Sequence, residues 1–212
     1  MHEMIEKLAK YVLVPVIKID RVEDAVPLCR TLKEGGLPVA EITFRTDAAE
    51  ESIRRVNKEY PDILLGAGTV LTVDQVKRAV DAGAGYIISP GFSRSVVEYC
   101  GKNNIAVTPG AITPTEIQYL IEYGLDVAKF FPAEQAGGVN MIKALAAPFP
   151  QMKFIPTGGI SAKNVLDYLA FKKVVACGGS WMVKDDLIKA GEFDKIRELV
   201  VEAVKLVKSI DN

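Results

Sequence analysis

Histidine is almost absent from this chain: the only one is His2, beside a terminus of the kind that commonly frays. Without an internal histidine there is no Ser-His-Asp triad, no His-ligated zinc and no histidine general base. Acid–base chemistry then falls to carboxylates, lysines, tyrosines or water. Cysteine is nearly as sparse. Cys29, Cys100 and Cys177 lie more than seventy residues apart, odd in number and without a Cys-x-x-Cys pair, which reads as reduced, mostly buried thiols. Neither sign of charge is in excess: 26 Lys plus Arg against 27 Asp plus Glu leave a net charge of −1, without the basic surplus that nucleic-acid phosphates demand. Long apolar runs are missing too. The longest uncharged stretch, residues 103–115, contains Pro109 and Pro114 and is far shorter than a membrane span. Glu3 and Glu6 near the start, with no apolar run closing on a cleavage site, do not form a secretory signal. The expectation is a cytoplasmic protein with neither membrane nor nucleic acid as partner.

What is present is regular alternation. The 212 residues suit one domain with a sizeable core, and no linker, low-complexity tract or charge block divides them, so residues 1–212 read as a single unit. Apolar runs of strand length occupy residues 14–19, 39–45, 63–69, 86–90, 106–109, 127–132, 154–157 and 174–177, their starts 20 to 27 residues apart. Between them lie stretches with helical periodicity, such as Val22, Ala25, Val26, Leu28, Cys29 and Leu32, or Val73, Val76, Ala79 and Val80. Helix starts follow the strands: Thr72, the capping box Thr113-Pro114-Thr115-Glu116, and Ser161. Strand–helix alternation means parallel strands joined by right-handed crossovers, and eight of them favour a closed α/β barrel, (β/α)8, over an open sheet. A short helix precedes it. Gly/Pro turns after most strands gather on one face of such a barrel, where small residues let backbone approach a ligand.

Three places could carry chemistry. In Val39-Ala40-Glu41-Ile42-Thr43-Phe44-Arg45, strand alternation puts Glu41, Thr43 and Arg45 on one face, aimed into the barrel. That pattern serves either a reactive site or an internal Glu41–Arg45 ion pair. Lys129, in Val127-Ala128-Lys129-Phe130-Phe131-Pro132, sits among apolar groups near a strand end. There the ammonium loses solvation, and the free amine can attack a ketone; the alternative is a lysine that snorkels to water. Lys18 is a rival, but its neighbour Asp20 favours a paired or solvated role. Finally, Thr157-Gly158-Gly159-Ile160-Ser161 and Gly178-Gly179-Ser180-Trp181 fit the phosphate sites that barrels build after their last two strands, or else simple tight turns. Trp181 and Cys177 read as packing residues.

Several segments together resemble the 2-keto-3-deoxy-6-phosphogluconate aldolases, a family that also acts on 4-hydroxy-2-oxoglutarate. These are Glu41-Ile42-Thr43-Phe44-Arg45-Thr46, Gly66-Ala67-Gly68-Thr69-Val70, Ile88-Ser89-Pro90-Gly91, Lys129-Phe130-Phe131-Pro132-Ala133-Glu134 and Pro156-Thr157-Gly158-Gly159-Ile160-Ser161. Singly, the Gly-rich pieces also suit other phosphate-binding barrels, such as thiamine-phosphate synthase. The resemblance implies a class I aldolase with Lys129 as Schiff-base lysine and Glu41 as general acid/base. It further implies that Arg45 holds the substrate carboxylate, that Thr69, Pro90 and Phe131 shape the pyruvyl pocket, and that Gly158, Gly159, Gly179 and Ser180 cradle a phosphate. A homotrimer with no metal and no organic cofactor is implied as well. Two rivals remain at this point: a phosphate-binding barrel enzyme in which Lys129 only binds charge, and a non-catalytic binder of a phosphorylated metabolite, which needs no Glu41–Lys129 pair.

Overall fold

The computed structural model describes residues 1–209. Its helices and strands alternate as far as β8: α1 (Glu3–Ala9), β1 (Leu13–Ile17), α2 (Ala25–Glu34, after a 3-10 turn at Val22–Asp24), β2 (Val39–Thr43), α3 (Ala48–Glu59), β3 (Leu64–Gly68), α4 (Val73–Asp81), β4 (Tyr86–Ile88) and α5 (Arg94–Lys102). The second half continues with β5 (Ala106–Thr108), α6 (Pro114–Glu122), β6 (Val127–Phe130), α7 (Gly138–Ala146), β7 (Lys153–Pro156), α8 (Val165–Leu169), β8 (Cys177–Gly179), α9 (Asp185–Ala190) and α10 (Phe193–Lys208). No helix among the described residues is long and apolar enough to cross a membrane.

The strands are parallel and curl into a half-barrel in the order β5-β4-β3-β2-β1-β8, with β6 and β7 as a separate parallel pair. Isolated bridges cross the two seams, Gly110 to Lys129 on one side and Phe154 to Val174 and Thr157 to Gly178 on the other. Proline explains why full ladders stop there: Pro109 and Pro156 each remove an N–H where the seam strands end. The first seam still fixes one residue firmly. Lys129 donates its amide to the Pro109 carbonyl at 2.9 Å and accepts from the Ala111 amide at 2.9 Å.

Apolar periodicity dictates the outer layer. The α2 stripe buries Ala25, Leu28, Cys29 and Leu32, and α10 packs on α2 with Ile196, Val200, Ala203 and Val207 turned inward. Each buried Leu, Ile or Val among them contributes roughly 1.5–3 kcal/mol. Thr72 and Thr113 cap α4 and α6 as their sequence contexts predict, the second through a complete capping box. Met4 of α1 lies against Gly85 at the start of β4, so α1 covers the end where strands begin and leaves the opposite end open.

Three expectations are corrected. The second strand ends at Thr43: Phe44, whose amide still donates to the Gly68 carbonyl at 2.8 Å, and Arg45 lie in a turn, so Arg45 is exposed at the open end rather than buried in line with Glu41 and Thr43. The eighth strand is not residues 174–177 but Cys177–Gly179. Val175 is drawn to β7 by its amide bond to Phe154, and pairing with β1 begins only at Cys177, so Gly178 and Gly179 are strand residues rather than a turn. Ser161 does not start a helix directly; α8 begins at Val165 after Asn164.

Candidate active site

The inward face of the half-barrel is built in layers. Glu41, Gly66, Tyr86 and Ala106 lie in register across β2 to β5. Tyr86 fills the space that a side chain at Gly66 would need and donates its hydroxyl to the Ala40 carbonyl at 3.0 Å. Burial, and secondarily the charge of Glu41, pushes the Tyr86 phenol well above its ordinary range, so it stays protonated as a floor to the site. Above it, a Cβ at Gly68 would fall 2.1 Å from Glu41 Oε1, so the bare glycine makes room for the carboxylate.

Into that space comes Lys129 from β6. Its Nζ lies 3.2 Å from Glu41 Oε1, and the two side chains are 5% and 1% exposed. A buried ammonium–carboxylate pair is a costly arrangement that good geometry only partly offsets, and such pairs concentrate at functional sites. Phe131 covers it, with Lys129 Nζ 5.5 Å from the ring centre. Glu41 thus pairs with Lys129, not with Arg45. The rival Lys18 is 32% exposed and held by Asp20 at 2.7 Å, as its neighbourhood predicts.

Arg45 and Phe131 form the rim between this pair and a cleft of about 490 Å³, which Thr157, Gly158, Gly159, Gly179, Ser180 and Trp181 line on the other side. Arg45 donates to Thr69 Oγ1 at 3.3 Å, and Thr69 holds a left-handed φ of 56°, a conformation a β-branched residue adopts only under constraint. Pro90 lies outside the cleft lining; its carbonyl packs against Gly110, where a Cβ would approach to 2.0 Å. A smaller cavity of about 250 Å³, lined by Ile5, Val97, Cys100 and Ile105, lies under α1 at the far end, away from Lys129.

The Gly158-Gly159 turn is clamped from behind. Its carbonyls accept from the Glu134 amide at 3.1 Å and from Asn164 Nδ2 at 3.0 Å, while Asn164 Oδ1 accepts from the Ser161 amide at 2.8 Å. Glu134 is itself held by the hydroxyl of buried Tyr168. In a trans peptide C=O and N–H point opposite ways, so pinning these carbonyls turns the amides of Gly159 and Ile160 toward the cleft. Sequence reasoning gave no role to Asn164, Gly68 or Lys184, and took Trp181 for packing; Trp181 is both, since its ring occupies the space over Gly179 and forms cleft wall. Among the described residues no group of three or more His, Cys, Asp or Glu is placed to hold a metal.

A family model described as KDPG and KHG aldolase matches residues 4–199, the stretch that carries the buried lysine–carboxylate pair and the glycine turn. The chain belongs to that family. Among relatives of this KDPG/KHG aldolase family member, the 2-dehydro-3-deoxy-phosphogluconate aldolase of Haemophilus influenzae is 46% identical, over 98% of both chains. A crystal structure of the Legionella pneumophila KDPG aldolase, with pyruvate captured as a covalent carbinolamine, superposes with a TM-score of 0.88 at 41% identity, covering 90% of this chain and 93% of that one. The Zymomonas mobilis enzyme with 3-phosphoglycerate gives 0.89 at 35% identity, covering 96% of each.

Proposed function

We propose that this chain is a class I aldolase that reversibly cleaves 2-keto-3-deoxy-6-phosphogluconate to pyruvate and glyceraldehyde 3-phosphate through a Schiff base on Lys129, with 4-hydroxy-2-oxoglutarate as a second substrate. The observation that carries the residue assignment is the 3.2 Å contact between buried Lys129 Nζ and Glu41 Oε1. Neither rival reading of the sequence requires that pair.

Attack on the C2 ketone needs the free amine, and the nearest acceptor for the Lys129 proton is Glu41. Addition gives a carbinolamine. Loss of its hydroxyl as water, with a proton from Glu41, leaves an iminium that draws electrons from C3. Glu41 then takes the C4 hydroxyl proton, the C3–C4 bond breaks, and glyceraldehyde 3-phosphate leaves behind an enamine. Reprotonation at C3 and hydrolysis by water release pyruvate and restore the amine. The iminium is the electron sink, so the steps balance without a cofactor. Arg45, braced by Thr69, is the donor for the substrate carboxylate, and Phe131 keeps water off the imine. Pro90 supports the pyruvyl side through backbone packing.

The phosphate is assigned to Gly158, Gly159, Gly179 and Ser180, supported by the clamped turn and by the cleft on that side of Arg45. The half-barrel and its seam bridges support reading the whole as one (β/α)8 barrel domain with α1 as its plug; of the single unit read over residues 1–212, positions 210–212 lie outside the described residues. A homotrimer, by family membership, and a cytoplasmic location complete the proposal.

Borohydride reduction in the presence of pyruvate tests the assignment. It should attach a reduced pyruvyl group to the peptide carrying Lys129 and fail in Lys129→Ala. Label on Lys18, or undiminished label in the variant, would overturn it.

A further inference from the structure

Backbone amides supply dipoles but no net charge, while a phosphate monoester carries about −1.5 to −2 at neutral pH. Besides Arg21, which pairs with Asp24, four cations follow β1, β2 and β8 closely in the chain, and three are engaged. Lys18 and Lys189 share Asp20, at 2.7 and 3.0 Å, and Arg45 donates to Thr69 two strands away from β8. The fourth, Lys184, lines the cleft with Ser180 and Gly159 and makes no ion pair among the described residues. Asp185 lines the same cleft and lies 4.0 Å from Lys18. Without Lys184, the wall next to the glycine turn would present a carboxylate to an incoming dianion.

We propose that Lys184 is the cation of the phosphate subsite, and so a residue that sets preference for phosphorylated over unphosphorylated 2-keto acids. The inference rests on the phosphate assignment above. Lys184 immediately precedes α9 and lines the same cleft as Gly159 and Ile160, so its point charge complements the backbone dipoles around a phosphate held there. Lys184 acts on binding of the remote group and not on the bonds that change at C2 to C4. Its loss therefore appears in the contribution of the phosphate to kcat/KM.

The test compares parent, Lys184→Gln and Lys184→Arg on 2-keto-3-deoxy-6-phosphogluconate and on the same acid without its phosphate, with inorganic phosphate as competitor. Lys184→Gln should lower the ratio of the two kcat/KM values about 3- to 15-fold, between the worth of an exposed ion pair and that of a hydrogen bond to a charged group. Inhibition by inorganic phosphate should weaken by a similar factor, and Lys184→Arg should restore most of both. A Lys184→Gln ratio equal to that of the parent, or a loss shared equally by both substrates, overturns the role of Lys184 and leaves the phosphate site standing. A parent enzyme that neither prefers the phosphorylated acid nor is inhibited by phosphate overturns the phosphate site and Lys184 with it.

Discussion

Glu41 and Lys129 stand 88 positions apart in the chain, and their contact depends on small residues that carry no chemistry of their own. Gly68 is the clearest. An alanine there would place its Cβ 2.1 Å from Glu41 Oε1, so the carboxylate must shift while the backbone, which is in the ordinary extended range, need not. Gly68→Ala should therefore fold and still form the imine, yet lose on the order of 10²-fold in cleavage, the usual cost of about 1 Å misplacement. Glu41→Gln keeps the shape and removes the base. Cleavage and solvent exchange of pyruvate methyl protons should both fall about 10²- to 10⁴-fold, while prolonged borohydride trapping still labels Lys129. Near-parental exchange in a folded Glu41→Gln would leave Glu41 as only the structural partner of Lys129. The importance of Lys129 was legible from its apolar flanks. The partner of Glu41 was not: alternation along a strand extrapolated the inward face to Arg45, but the chain leaves the sheet after Thr43.

At the scale of elements, the β7–α8 connection works as a clamp. Asn164 uses both ends of its amide, donating to Gly159 and accepting from Ser161, and the left-handed φ of Gly158 and Gly159 (100° and 77°) gives the tight return that these bonds secure. Asn164→Ala removes these two hydrogen bonds, at roughly 1 kcal/mol each, and a longer one from the Ser161 hydroxyl. The expected result is a modest drop in Tm together with about a tenfold rise in KM for the phosphorylated substrate and little change in kcat, measured by steady-state kinetics. A fall in kcat with KM unchanged would contradict the clamp. In the sequence this segment reads as a glycine turn leading into a helix at Ser161. The three-residue shift is invisible to capping rules because Ser161 and Asn164 both satisfy the N-cap preference, while the contact to Gly159 belongs to Asn164.

The whole molecule has a predictable alkaline weakness. Burial pushes the Cys29 thiol from an ordinary 9.0 up to about 12 and the Cys100 thiol to about 11, and it raises the Tyr86 phenol too. Above pH 9 the unfolded chain gives up thiol protons that the folded protein keeps, so the unfolded state binds fewer protons and stability falls as pH rises. The window runs from 9 to about 11 for Cys100 and to about 12 for Cys29. Tm followed from pH 8 upward should decline progressively, and Cys29→Ala, though lower in Tm at pH 8, should decline less steeply. Parallel slopes would refute this. All three thiols should likewise resist a thiol reagent at pH 8 until the chain is unfolded, since each is buried.

Burial is periodic along the chain, so the order of strands and helices can be read from the sequence: 3.6-residue stripes and short apolar runs show where helices and parallel strands form, and eight runs at even spacing admit few topologies, though they leave open how the sheet closes and where β2 and β8 end. The sequence also marked Lys129, whose apolar neighbours are its own chain neighbours. Packing in three dimensions brings Glu41 to Lys129, lets Gly68 make room for them, places Gly178 and Gly179 in β8, and puts Lys184 and Trp181 on the cleft. Those contacts depend on how far each strand slides against the next and on where prolines interrupt the ladders. Register of that kind is set by packing summed over the whole sheet, and no local window of sequence contains it.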